Sequence, residues 1–196
     1  MEDIEKLRFN IRHSTAHIMA EAVLKLFPGT MIGIGPPTND GFYYDFDCPK
    51  QLTKDDFKII ESEMKKIIKS KRKFSGSTVS RDEAKERFKG QNYKIEVIDN
   101  IPDDEDVTIW SHESWEDICR GGHIEHTGNI KAFKLLEVAG AYWKGNEKNK
   151  MLQRIYGTAW ESKEKQKLYL EKLELASKRD HRKLGTSLEL FYFDDF

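Results

Sequence analysis

The stretch His13-Ser-Thr-Ala-His17 decides how this chain is organised, because it sets two histidines on one face of the first predicted helix. Residues four apart lie one turn above each other, so both imidazole rings can point into a single cavity. The helical pattern runs from about Ile4 to Phe27, and Pro28-Gly29 ends it. Both histidines share their stripe with apolar residues, so we expect them to face the protein interior.

A second group of donor atoms lies about a hundred residues later, in Asp117-Ile-Cys-Arg-Gly-Gly-His123. Its two glycines permit a sharp bend that can bring Cys119 and His123 to the helix. The combined set, His-x3-His with Cys-x3-His, can hold a zinc ion or build a metal-free hydrolytic pocket. The residues alone leave both possibilities open.

Composition limits the class of protein. The 196 residues contain 33 Lys and Arg against 34 Asp and Glu, a net charge of -1, so only a local basic patch could favour nucleic acid. Two cysteines, Cys48 and Cys119, make a disulfide framework improbable, and the second belongs to the histidine set. No apolar run reaches the roughly 18 residues of a membrane span, and the first residues lack the pattern of a signal peptide. We therefore expect a soluble cytoplasmic protein with no membrane partner.

Strands and helices recur along the rest of the chain. Capping residues predict helices starting at Thr53 and Ser80, and a long charged helix is predicted from Ser162 to about Gly185. Alternation and β-favouring residues predict strands at 31–35, 41–47, 73–79, 93–98, 107–110, 132–142 and 151–158. The apolar end at 188–196 is unusual for a free terminus and predicts a following domain that covers it.

Four further motifs follow in order: Gly41-Phe-Tyr-Tyr-Asp45, Ala139-Gly-Ala-Tyr-Trp143, Asn149-Lys-Met-Leu-Gln-Arg-Ile-Tyr-Gly-Thr-Ala159 and Lys178-Arg-Asp-His-Arg-Lys-Leu-Gly185. With the two histidine segments they resemble the N-terminal editing region of bacterial threonyl-tRNA synthetases, from about residue 10 onward. The resemblance implies an α+β fold, with an antiparallel sheet packed against helices and a long linker helix after it. It also implies an editing domain at 1–160, a linker at 161–196, and hydrolysis of serine wrongly attached to threonine tRNA. The ubiquitin-like domain and the catalytic core of the family are not recognisable, so ligation is not expected from this chain.

The resemblance further implies roles for individual residues and partners. The implied catalytic residues are His13, His17, Lys94, Cys119 and His123, and the implied substrate-binding residues are Asp117 and Tyr44. No cofactor is implied for editing; zinc held by His13, His17, Cys119 and His123 is the less favoured alternative. ATP and a further zinc would belong to the catalytic core. The implied partners are the acceptor end of threonine tRNA and the catalytic domain of the same synthetase, with no DNA.

The chemistry expected of such residues is simple. Neutral histidines can orient a water molecule, and Lys94 could stabilise negative charge that develops on the ester. Serine and threonine differ by one methyl group, worth only about 1 to 3 kcal/mol, so a second hydrolytic site is useful. Two competing functions are a free-standing, zinc-dependent deacylase of the alanyl type and a module that only binds the tRNA acceptor end.

Several residues are predicted to lie outside the site. No motif supports His112, His126 and His181, so they are expected at the surface. Arg120 is expected to support its turn. Whether Lys144, Lys148, Lys150 and Arg154 contact phosphate or form a solvated connection is left open.

Overall fold

The computed structural model describes residues 2–113 and 115–179, and contains two antiparallel sheets with helices packed against them. The helices are α1 (Glu2–Leu26), α2 (Phe57–Lys69), α3 (Arg81–Arg87), α4 (Asn92–Asp99) and α5 (Lys163–Lys178). The strands are β1 (Met31–Ile32), β2 (Phe42–Asp47), β3 (Ser75–Val79), β4 (Val107–His112), β5 (Trp115–Ile118), β6 (Ala132–Tyr142) and β7 (Met151–Trp160). The expected α+β class with antiparallel sheets is confirmed.

The strands form two separate sheets. The larger sheet runs β1-β2-β7-β6, and the smaller runs β3-β4-β5. Every pairing in both sheets is antiparallel. The α1 helix packs against α2, β2 and β7, and so lies on the larger sheet.

The α1 helix is central because its middle is buried on all sides. Every residue from 11 to 23 is buried, whereas its first two turns are largely exposed. A helix buried on all faces must lie within the protein core. The two histidines of α1 are therefore held inside the protein, as their apolar stripe predicts.

The α4 helix corrects one expectation. Residues 93–98 were predicted to form a strand from their alternation, but they are helical. Lys94 and Ile98, four apart, are both buried, and Ile98 packs in a small cluster with Phe88 and Ile109. A pattern of six residues is too short to distinguish the period of a strand from that of a helix, and packing against α3 and β4 favours the helix.

The β5 strand was not predicted. It is only four residues long, contains two acidic residues, and pairs with β4 so that Trp110 faces Asp117. Acidic residues are depleted in strands, so residue propensities do not predict a strand in such a short segment. Asp117 is consequently fixed in a sheet, while Cys119 begins the loop.

The α5 helix begins as predicted. Ser162 caps it by accepting a hydrogen bond from the backbone N–H of Lys165, and the Trp160 and Tyr169 rings lie 5.1 Å apart. The boundary near residue 160 is compatible with this arrangement and stays a prediction. The predicted extension to Gly185 and the apolar segment 188–196 lie outside the described residues.

Candidate active site

The two histidines of α1 form the centre of the site. Their Nε2 atoms are 3.2 Å apart and their ring centroids 4.8 Å apart. His13 is 8% exposed and His17 only 2%. Since two Nε2 atoms in contact must include one donor and one acceptor, the pair holds one N–H and one lone pair between them.

The glycine-rich turn meets the histidine pair as the sequence predicts. Gly121 and Gly122 adopt φ angles of +85° and +84°, a left-handed backbone that suits glycine. A Cβ atom at Gly121 would also lie 2.9 Å from the Trp110 ring. This bend brings the Cys119 sulfur within 3.2 Å of His123 Nε2 and stacks the His123 ring on His13 at 4.3 Å.

Lys94 enters the site from α4 and forms a buried ion pair with Asp117. Both residues are 2% exposed. The Tyr44 hydroxyl donates to Asp117 Oδ2 at 2.5 Å and accepts from Lys94 Nζ at 2.9 Å. The Ile118 backbone N–H donates to Asp117 Oδ1 at 2.8 Å. Both carboxylate oxygens of Asp117 are thus engaged within the protein, by Lys94, Tyr44 and the Ile118 backbone.

A pocket of about 420 Å³ opens over these groups. Five of the seven sequence-predicted site residues line it, and these are His13, His17, Lys94, Asp117 and Cys119. The other two support the pocket without lining it. Tyr44 is fully buried beneath Asp117, and His123 contacts Cys119 and His13 from behind. Residues 34–37 form part of the wall.

Burial fixes the protonation states. Desolvation lowers the pKa of His13, lowers the pKa of His17 strongly, and lowers the pKa of His123 to about 3. It raises the pKa of Cys119 to about 12. At neutral pH the site therefore holds three neutral imidazoles and a neutral thiol. Neutral imidazoles can accept protons, whereas a thiol is a weak nucleophile compared with a thiolate.

The donor set fits a zinc ion in part. Ligand atoms of His13, His17, Cys119 and His123 lie within 4.8 Å of one another. Zinc binds nitrogen and sulfur ligands at about 2.0 to 2.3 Å, so a tetrahedral site would need these atoms at equal or slightly shorter distances from one another. A zinc-bound histidine donates its second ring N–H to an oxygen acceptor. Among the described residues, Nδ1 of His17 has no hydrogen-bond partner, whereas the backbone of Gly121 and Gly122 hydrogen-bonds to the His13 ring. The four donors match zinc in kind and spacing, but the outer partner of His17 is missing.

His112 is a correction, because it was expected at the surface. Its side chain is fully buried, its ring is stacked on Trp115 at 5.1 Å, and burial lowers its pKa to about 4. It ends β4 on the same face as Trp110, opposite to the buried Ile109, and the Phe74 and Trp115 rings pack against it there. His126 is half-buried, and His181 lies outside the described residues.

The basic residues near β6 and β7 are paired with carboxylates. Lys144 contacts Glu96, and Lys150 contacts Asp47. Arg154 makes two hydrogen bonds to Asp45, at 2.6 and 2.9 Å. Of the four residues left open in the sequence, these three are neutralised locally, which disfavours phosphate contact. Arg120 is exposed and pairs with Glu105 in the loop before β4.

Two residues of this region carried no predicted role. Ser14, between the two histidines, contacts His123, with 3.1 Å between Ser14 Oγ and His123 Nδ1. Gly35 lies against Tyr44, whose ring would be 1.9 Å from a Cβ atom there. The only sequence signal for Ser14 is its place inside the histidine motif, and Gly35 has none.

Comparison with known proteins places this site in a family. Residues 107–156, which carry β4, β5 and the glycine-rich turn, match the family described as "Threonyl and Alanyl tRNA synthetase second additional domain". Residues 107–156 are thus similar to an accessory domain of aminoacyl-tRNA synthetases.

Relatives that match nearly the whole chain narrow the class of protein further. The chain is 54% identical over 187 residues to a threonine–tRNA ligase of Oleidesulfovibrio alaskensis, covering 94% of this chain and 29% of the relative. Identity is 51% over 189 residues to that of Fusobacterium nucleatum (95% and 30%) and 52% over 181 residues to that of Staphylococcus aureus (92% and 28%). The chain belongs to the threonyl-tRNA synthetase family, and it spans less than a third of the length of these relatives. No helix in the part of the chain that the structure describes is long and apolar enough to cross a membrane.

Proposed function

We propose that this chain is the editing region of a threonyl-tRNA synthetase and hydrolyses the ester of serine wrongly attached to threonine tRNA. The observation that carries the proposal is the pocket in which a neutral histidine pair faces the buried ammonium group of Lys94. An aminoacyl ester is already activated. Its hydrolysis needs only a positioned water, stabilisation of the oxyanion and a proton for the leaving oxygen.

His13 is the proposed proton acceptor. Asp117 Oδ2 lies 3.9 Å from His17 Nε2, so its negative charge favours a hydrogen on that nitrogen. The lone pair of the contact then belongs to His13 Nε2, which can take a proton from water when the water replaces the His17 N–H as its hydrogen-bond donor. The water oxygen bonds to the carbonyl carbon, the ester C–O bond breaks, and the ribose oxygen receives the proton. The products are serine and uncharged tRNA.

Lys94 is proposed to stabilise the negative charge on the carbonyl oxygen in the transition state. A preorganised cation in a site shielded from water contributes most where charge develops during the reaction. Asp117 and Tyr44 fix the ammonium group, which limits its rearrangement during the reaction. Contact between Asp117 and the substrate ammonium would have to share Oδ2 with Tyr44.

Rejection of threonine is proposed to come from the pocket wall at residues 34–37. Two prolines and a glycine held against Tyr44 make this wall stiff. A stiff wall resists the extra methyl group of threonine. One methyl group contributes about 1 to 3 kcal/mol, enough for a preference of about tenfold to a hundredfold.

No cofactor is proposed for this reaction. If zinc were bound by His13, His17, Cys119 and His123, it would supply a Lewis acid. The unpartnered Nδ1 atom of His17 favours the metal-free reaction. The proposed partners are the acceptor end of threonine tRNA and the catalytic domain of the synthetase, in the cytoplasm. DNA is not a proposed partner.

The test is deacylation of threonine tRNA charged with serine or with threonine, with and without a strong zinc chelator. We expect chelator-resistant loss of serine alone, and a fall of at least a hundredfold in His13→Gln. His126→Gln is the matched control, since His126 lies outside the pocket. Sensitivity to the chelator would favour the zinc-dependent deacylase. Binding of tRNA without hydrolysis would favour a binding module and overturn the proposal.

A further inference from the structure

Ser14 is fully buried between the two histidines of α1, on the side that faces the glycine-rich turn. Its Oγ accepts a hydrogen bond from the Ile124 backbone N–H at 3.1 Å. The same oxygen lies 3.1 Å from His123 Nδ1. Among residues 2–113 and 115–179, these two groups are the only hydrogen-bond partners of the Ser14 hydroxyl. Ser14 is thus inserted between the loop backbone and the His123 ring.

The direction of each hydrogen bond follows from the count of donors. A hydroxyl group has one hydrogen and two lone pairs, and Ile124 occupies one lone pair. If His123 Nδ1 also carried a hydrogen, the Ser14 hydroxyl hydrogen would have no acceptor within the described contacts. An unsatisfied buried donor is costly, so the Ser14 O–H donates to His123 Nδ1. The single hydrogen of the neutral ring must then be on Nε2.

His123 Nε2 in turn lies 3.2 Å from the Cys119 sulfur. With its hydrogen on Nε2, the ring donates to the sulfur and offers no lone pair there. The thiol hydrogen of Cys119 is then not needed by His123, and Cys119 itself lines the pocket. In this series of three hydrogen bonds, each donor therefore points from the loop backbone, through Ser14 and His123, towards the pocket.

We propose that Ser14 is a positioning residue that holds His123 in the Nε2–H tautomer, so that the imidazole donates to Cys119 and leaves the thiol hydrogen for the bound ester. The same tautomer withholds one of the four lone pairs that zinc would need. The link to hydrolysis rests on the proposed function, whereas the tautomer does not.

The test reads the tautomer directly. Histidine is labelled with ¹⁵N, and long-range ¹H–¹⁵N correlation spectra of the 196-residue chain at pH 7 separate protonated from unprotonated ring nitrogens. The signals of His123 are assigned from their loss in His123→Gln. We expect hydrogen on Nε2 in the unmodified chain. In Ser14→Ala, the loss of one hydrogen bond should reduce the preference by roughly five- to tenfold, so that both tautomers are populated.

Thr15→Val is the matched control. Thr15 is equally buried on the same helix, but its hydroxyl donates to the Ile11 carbonyl at 2.6 Å and does not contact the site. It should leave the His123 signals unchanged, and Ser14→Thr should restore the Nε2–H form. Hydrogen on Nδ1 in the unmodified chain would overturn the inference even if every variant failed to fold. An unchanged spectrum in folded Ser14→Ala would overturn it as well.

Activity separates this inference from the proposed function. Ser14→Ala is expected to deacylate serine-charged tRNA about tenfold more slowly, while Thr15→Val keeps the full rate. Absence of hydrolysis by the unmodified chain, with His123 in the Nε2–H form, would refute the proposed function alone. Full activity of Ser14→Ala despite a mixed tautomer would refute the catalytic part of the inference.

Discussion

The buried pair of Lys94 and Asp117 permits a quantitative test of the site. Two unit charges about 4 Å apart attract by about 4 kcal/mol at an effective dielectric constant near 20. At 2% exposure, neither group gains much from solvent once its partner is removed. Lys94→Met and Asp117→Asn should each lower the free energy of unfolding by about 3 to 5 kcal/mol, because each leaves one buried charge without its partner. The double variant removes both charges and should lose far less than the sum.

The measurement is urea unfolding followed by tryptophan fluorescence, combined in a double-mutant cycle. We expect a coupling energy of at least about 2 kcal/mol. Lys85 and Asp99 provide the control, since the same two residue types are paired at 2.6 Å but are 41% and 51% exposed. Their cycle should give at most about 1 kcal/mol. Equal coupling in the two cycles would refute the claim that burial gives the Lys94 pair its strength.

Three further predictions follow from the surroundings of the pocket. Gly35→Ala should abolish most deacylation and lower the melting temperature, because its Cβ would lie 1.9 Å from the Tyr44 ring and displace the hydroxyl that holds Asp117. The free energy of unfolding should fall as the pH drops from about 6.5 to about 4, because burial lowers the pKa of His112 to about 4 in the folded chain, so that the unfolded chain binds more protons over this range. His112 contributes at most about 3 kcal/mol to this fall, which is measured as the free energy of unfolding at a series of pH values. Cys119 should react slowly with iodoacetamide at pH 8, as read by mass spectrometry, because burial raises the pKa of its thiol to about 12.

Each of these has a result that contradicts it. Wild-type activity in Gly35→Ala would mean that the Tyr44 ring can move without loss of function. If His112→Gln had the same pH dependence as the unmodified chain, His112 would not be a source of the acid sensitivity. Alkylation of Cys119 in the folded chain as fast as in the urea-unfolded chain would show that burial does not raise the pKa of the thiol.

The sequence predicts the central helix and the long strands because their patterns extend over many residues. The α1 pattern spans more than twenty residues and ends at Pro28-Gly29, so no short-range ambiguity arises. The strand prediction for residues 93–98 was wrong for the opposite reason, because a pattern of six residues fits both the period of a strand and that of a helix. The error mattered, because the helix delivers Lys94 to the pocket from a direction that a strand would not.

The candidate site was predictable as a set of residues but not as an arrangement. Spacing within motifs indicates that His13 and His17 share a helix face, which the structure shows. No spacing indicates that His123 lies behind Cys119 or that Asp117 is saturated by Lys94 and Tyr44. Those facts depend on contacts between segments far apart in the chain.

The small hydrophobic cluster beside α3 and α4 has a consequence for cooperativity. It contains only five buried residues, among them Phe88, Ile98 and Ile109, and is separate from the main core. Lys94 belongs to the helix that packs there, whereas His13 belongs to α1, which contributes Ile11 and Ala16 to the main core. Local opening of this cluster would dismantle the pocket while α1 and the larger sheet stayed folded. If this opening costs less free energy than global unfolding, it sets the fraction of molecules with an assembled pocket.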